Sequence, residues 1–85
     1  MPSKTVTVGS ALGLHARPAA VISEAVVNAG VPVTLALDDG EPVDAGSTMM
    51  IMTLGTVKGS QVTVTADDEA VLARIAELIE QDLDA

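Results

Sequence analysis

The 85-residue chain has no phenylalanine, tyrosine or tryptophan and no cysteine. Without aromatic rings there is nothing to stack on unpaired bases, which argues against a single-stranded nucleic-acid binder. The core has to be assembled from Val, Ile, Leu, Ala and Met through many small contacts. Without cysteine there is no disulfide, no thiol nucleophile and no thiolate metal site. Cations are scarce: four Lys and Arg face twelve Asp and Glu, a formal net charge of −8. That is the wrong sign for attracting nucleic acid or anionic lipid. No apolar run is long enough to span a bilayer. The first residues alternate Thr and Val after Lys4, unlike a signal peptide. A cytoplasmic protein without membrane insertion is expected. The length suits one small domain over residues 1–85, and 48% hydrophobic residues argue for a globular chain.

The negative charge is unevenly spread. Residues 1–23 hold no Asp or Glu, whereas residues 67–85 hold seven against the single cation Arg74. Within the acid-free stretch stands the lone histidine, His15, followed closely by Arg17, one of only two arginines. A helical pattern begins immediately after them. Helix N-termini present unpaired N–H groups and partial positive charge. Arginine adds a planar fork suited to phosphate oxygens. His15 is therefore the candidate nucleophile, carrying a phosphoryl group at the mouth of a helix.

The remaining pattern predicts the elements around it. Residues 4–8 alternate polar and apolar, a half-buried strand with Val6 and Val8 inward. Residues 9–13 form a loop. Residues 16–29 read as a helix with Ala19, Ile22, Val26 and Ala29 on its buried stripe and Gly30 as its stop. Pro18 suits a first turn but biases Arg17 away from helical angles, so the helix starts either at Ala16, with His15 at the cap, or at Pro18. Residues 31–37 predict a second strand with Pro32 at its start or on an edge, and residues 38–40 a hairpin turn. Residues 41–44 predict a short third strand, weakened by Pro42, with Val43 inward. Ser47 is a good N-cap and Gly55 a good stop for a short helix over residues 47–54. Its Met49, Met50, Ile51 and Met52 are apolar nearly all round, so a mixture of core filling and exposed contact surface is expected. Residues 61–65 predict the fourth strand with Val62 and Val64 inward. Asp67, Asp68 and Glu69 open a last helix buried through Leu72, Ile75, Leu78, Ile79 and Leu83. Glu80, Asp82 and Asp84 oppose its dipole, so its last turn is expected to fray. The order β-α-β-β-α-β-α predicts an α+β fold with a four-stranded antiparallel sheet and helices on one face.

Neutral imidazole is a good nucleophile near neutral pH, and phosphoryl transfer depends mainly on positioning and neutralisation of oxygen charge. The sequence has no GxxxxGK phosphate loop and no second histidine as acid or base. It cannot readily charge itself from ATP and needs an external donor and an acceptor. A single His without Cys is a poor zinc set. The acidic stretch Asp38, Asp39, Glu41 and Asp44 does not match a calcium loop and is interrupted by Pro42. No metal site is expected. No serine-hydrolase elbow motif is present, and Ser47 reads as a cap. A phosphate there would be tolerated at a helix N-terminus and would repel acidic partners without unfolding the chain.

Residues 13–20, Gly-Leu-His-Ala-Arg-Pro-Ala-Ala, resemble the active-site signature of the HPr family, the phosphocarriers of the bacterial phosphoenolpyruvate-dependent sugar phosphotransferase system. Residues 46–55, followed by Lys58 and Gly59, resemble that family's second signature, around its regulatory serine. Spacing, length and element order agree over essentially the whole chain. The resemblance implies an open-faced β-sandwich with three helices on one side of the sheet. It implies that phospho-enzyme I passes a phosphoryl group to Nδ1 of His15 and that the IIA domain of a sugar permease accepts it. Arg17 and N–H groups at the helix start would bind the phosphoryl oxygens. Ala16, Arg17, Ala20, Thr48, Met49 and Met52 would form the partner surface, and Ser47 the target of a serine kinase and phosphatase. The protein would be a monomeric cosubstrate without cofactor, and not an enzyme. Glu24 and Met50 stand where many relatives carry lysine, and Thr48 where a larger apolar residue is common, so methionine contacts should outweigh charge. Carriers of nitrogen-linked or dihydroxyacetone systems share the histidine motif. The alternation of elements also permits a ferredoxin-like regulatory or ligand-sensing module, or a plain interaction domain acting through its methionines.

Overall fold

The computed structural model describes residues 2–38 and 40–81. Stretches rich in β-branched residues form strands β1 (Ser3–Thr7), β2 (Val33–Leu37), β3 (Val43–Asp44) and β4 (Gln61–Ala66), alternating with helices α1 (Ala16–Ala29), α2 (Thr48–Met52) and α3 (Glu69–Glu80). The strands pair antiparallel in the order β1-β4-β2-β3. Register follows the period of two. Val6 lies opposite Val62, Leu35 opposite Val64 and Val33 opposite Ala66, and all six are buried. On the other face Thr5 and Thr63 lie opposite each other and share a 2.9 Å hydroxyl bond. One face is thus apolar and covered by the helices, while the other is hydroxyl-rich and open. The observed order and the open-faced sandwich are those expected.

Ile22 of α1, Ile51 of α2, and Ile75 and Ile79 of α3 are fully buried with Leu35 in one core. Each such side chain contributes about 1.5–3 kcal/mol of burial. In place of aromatic rings, branched aliphatics from all three helices close the interior against the sheet.

Some expectations need correction. Ala29, placed on the inward stripe by its spacing, is exposed, as are residues 27–30 throughout; α1 has run past the core by its last turn. The stripe instead takes in Pro18 and Ser23. β2 starts at Val33, after Pro32, and β3 shrinks to Val43–Asp44, because Pro42 has no N–H to add to the ladder. α2 is one short turn, Thr48–Met52, with residues 53–54 in a turn before Gly55 at φ 66°. At α3, Asp68 caps the first turn, accepting from the N–H groups of Ala70 at 2.9 Å and Val71 at 3.1 Å. Leu83, Asp82, Asp84 and Asp39 lie outside the described residues. Among the described residues, no helix is long and apolar enough to cross a membrane.

Candidate functional site

The site begins with the loop that delivers the chain to α1. Val8 is buried, its N–H donates to the Ser60 carbonyl at 2.9 Å, and its own carbonyl accepts from the Gly59 N–H at 3.0 Å. The Gly9 N–H donates to the Ile79 carbonyl near the end of α3 at 3.0 Å. Gly13 closes a turn by donating to the Ser10 carbonyl at 3.0 Å, at a φ of 75°. A Cβ there would collide with the Thr56 carbonyl oxygen, so glycine is required both for its backbone angle and for close approach. The next N–H, that of buried Leu14, donates to the Thr56 hydroxyl at 2.8 Å. The loop is thereby pinned between the 56–60 segment and the end of α3 before it reaches His15.

His15 is the N-cap of α1, with extended backbone (φ −79°, ψ −166°). The first alternative start is therefore the observed one. Its carbonyl accepts the first intrahelical bond, from the Ala19 N–H at 2.9 Å. Arg17 is helical despite the following Pro18, whose ring is buried and fixes the first turn. Pro18 lacks an N–H, so the helix mouth presents the N–H groups of Ala16 and Arg17. The His15 side chain makes no cap hydrogen bond, and no acidic residue lies in the first turn. The contrast with the other helices is informative: Ser47 caps α2 by accepting from the Met50 N–H at 3.2 Å, and Asp68 caps α3. Only α1 forgoes a side-chain cap, a device worth about 0.5–2 kcal/mol. The helix mouth is thus left electropositive.

Ala11, Leu12, His15, Ala16 and Arg17 line one shallow open depression. His15 is half-buried, while Ala16 and Arg17 are exposed. Arg17 forms no salt bridge with any described residue. The arrangement suits a tetrahedral oxyanion: an imidazole to carry it, a guanidinium beside it, and a helix mouth to offset its charge.

Ala16 and Ala20 are exposed one turn apart on α1 and lead from this mouth towards α2. There the buried Ser23 donates its hydroxyl to the Ala20 carbonyl at 3.2 Å. It must therefore accept the 2.6 Å bond it shares with the Thr48 hydroxyl. This hydroxyl pair ties α2 to α1 and gives Thr48 a partner that a larger apolar residue would not have. Ile51 anchors α2 in the core, while Met49, Met50 and Met52 are exposed. α2 thus combines one core-filling side chain with three exposed methionines. Thr56, Gly9 and Ser23 were not candidates from the sequence. The glycines offered a local signal, but Thr56 acts on a residue 42 positions away and leaves no local trace.

A family model described as "PTS HPr component phosphorylation site" matches residues 2–81. The chain belongs to the HPr family. It is similar to the phosphocarrier protein HPr of Streptomyces coelicolor, 41% identical over 87 residues that cover 99% of this chain and 94% of that one. It is also similar to the phosphocarrier protein NPr of Escherichia coli K12, 35% identical over 77 residues covering 86% of each. Among solved structures, HPr-C-His of Thermoanaerobacter tengcongensis superposes with a TM-score of 0.87 at 31% identity, covering 100% of this chain and 98% of that one. HPr proteins are phosphoryl carriers, and the fold built here from residue patterns is the HPr fold.

The loop geometry gives a stability test. Gly13→Ala suffers both the left-handed backbone and the collision with Thr56. Gly30→Ala, at φ 72° with open space around it, suffers the backbone term alone. In urea melts Gly30→Ala should lose about 1–2 kcal/mol, and Gly13→Ala distinctly more. Equal losses would contradict the close-approach role of Gly13.

Proposed function

We propose that this chain is the phosphocarrier of a phosphoenolpyruvate-dependent sugar phosphotransferase system. It accepts the phosphoryl group of phospho-enzyme I on Nδ1 of His15 and donates it to the IIA domain of a sugar permease. The imidazole lone pair attacks phosphorus while the bond to the donor's leaving group breaks. In the second transfer the roles reverse, and the His15 nitrogen leaves with the electron pair of the broken P–N bond. Arg17 and the N–H groups of Ala16 and Arg17 offset the charge on the phosphoryl oxygens. The observation that carries this reading is His15 at the one helix start without a side-chain cap among the described residues, sharing its depression with Arg17. The chain has no nucleotide loop or second histidine, which accords with a cosubstrate served by other proteins.

Ala16, Ala20, Thr48, Met49 and Met52 form the proposed docking surface, shared in turn by donor and acceptor. A monomer in the cytoplasm suits a carrier that must fit both. Met49, 76% exposed, leaves a large apolar side chain for such a contact to bury. The similarity to NPr supports a second reading, a nitrogen-linked branch running on the same His15 chemistry. Transfer rates to IIA domains of each branch separate the two. Ser47 is the proposed regulatory position. A phosphate there would place about two negative charges beside Met49.

On incubation with phosphoenolpyruvate and enzyme I, the protein should gain one acid-labile phosphoryl group, and His15→Ala none; full labelling of that variant would refute the assignment. Arg17→Ala should fold normally and transfer about tenfold to a hundredfold more slowly, the loss expected for one charge-assisted bond. Unchanged kinetics would remove Arg17 from the mechanism. Ser47→Asp keeps an acceptor at the cap and should retain the fold while slowing phosphorylation of His15. A rate equal to the parent's would contradict the regulatory role.

A further inference from the structure

Three of the chain's four methionines fall within the five residues of α2. Met49 is 76% exposed, Met52 45% and Met50 41%, while Ile51 alone is buried. Met49 and Met52, three residues apart, share a helix face and line one shallow depression with Thr48 and Thr53. Met50 lies roughly 100° round the helix from Met49. The chain has no Cys, Trp or Tyr, so these exposed thioethers are its most readily oxidised side chains.

We propose that Met49 and Met52 form a reversible oxidation site that controls docking at α2, with a peroxide as oxidant. The sulfur lone pair attacks one peroxide oxygen, a bond from sulfur to oxygen forms, and the O–O bond breaks. With hydrogen peroxide the proton of the attacked oxygen passes to the second oxygen, which leaves as water, the sulfur losing two electrons and the peroxide gaining them. The helix outlasts this change. Its anchors are buried Ile51, the Ser47 cap and the Ser23–Thr48 hydroxyl pair, none of which uses a thioether. What changes is the contact surface. Two flexible apolar side chains become strongly polar sulfoxides, which a docking partner has to desolvate. The imidazole of His15 keeps its chemistry, so the modification acts on encounter and not on the phosphoryl-transfer step. This inference rests on the reading of α2 as partner surface.

The test treats the full chain with hydrogen peroxide, removes the oxidant by desalting and locates incorporated oxygen by peptide mass spectrometry. Transfer from phospho-enzyme I is then measured, each protein against its own untreated form. Oxygen should appear on Met49 and Met52, with KM raised about tenfold, as expected for weakened central contacts. The change in kcat should be much smaller, the thermal melt should be retained, and methionine sulfoxide reductase should restore KM. The response should vanish in the double variant Met49→Leu/Met52→Leu and persist in Met50→Leu. An unaltered KM with both sulfurs oxidised, or an equal response in the double variant, would overturn the proposal. Untreated Met49→Ala/Met52→Ala separates the two levels. A raised KM there with a silent oxidation defeats the oxidation site alone. An unraised KM there defeats the docking surface, and the oxidation site with it.

Discussion

The N–H of Leu14, buried and bonded to the Thr56 hydroxyl, is the contact on which the site depends. It immediately precedes His15. Ordering a loop costs about 1–2 kcal/mol per residue, and an exposed loop that meets only water would not hold an imidazole in place. Here Val8, Gly9 and Leu14 spend backbone groups on the 56–60 segment and the end of α3, and Gly13 packs directly against the Thr56 carbonyl. An unpaired buried N–H at Leu14 would cost about 1–3 kcal/mol, so loop and sheet connection stand or fall together. The position of His15 is thus a property of the folded core as well as of the residues beside it.

A second constraint is electrostatic. The chain carries a net charge of −8, yet its first 23 residues contain no carboxylate side chain. α3 uses Asp68 to satisfy its first N–H groups, and α2 uses Ser47. An Asp or Ser in place of His15 would cap α1 in the same way and occupy the donors that an incoming anion needs. The proposed function therefore asks α1 to forgo a stabilising cap. Buried Pro18 and the Gly30 cap, whose N–H donates to the Val27 carbonyl at 3.2 Å, compensate at the first and last turns.

Much of this was legible in the sequence because its signals are local. The Gly30 stop of α1, the inward valines of β1 and β4, and the cap Ser47 all follow from period and propensity over a few residues, whereas the start of α1 stayed open between Ala16 and Pro18. His15 and Arg17 stood out because they are rare residues in an acid-free stretch. What escaped depends on distant partners. Thr56 gives no periodic signal, and its role exists only once β4 brings the 56–60 segment against the loop. The Ser23–Thr48 bond joins two helices across 25 positions, so neither hydroxyl signals the other locally. Ala29 failed for a related reason: its spacing is right, but the core beneath α1 ends at Val26.

The central claim, that the mouth of α1 holds a phosphoryl group on His15, is tested most directly by NMR of the phosphorylated, isotope-labelled protein. Phosphorus–nitrogen coupling to Nδ1 of His15 is expected, with the largest amide shifts at Ala16 and Arg17. Phosphorus bonded to any other atom, or amide shifts centred away from the start of α1, would contradict it.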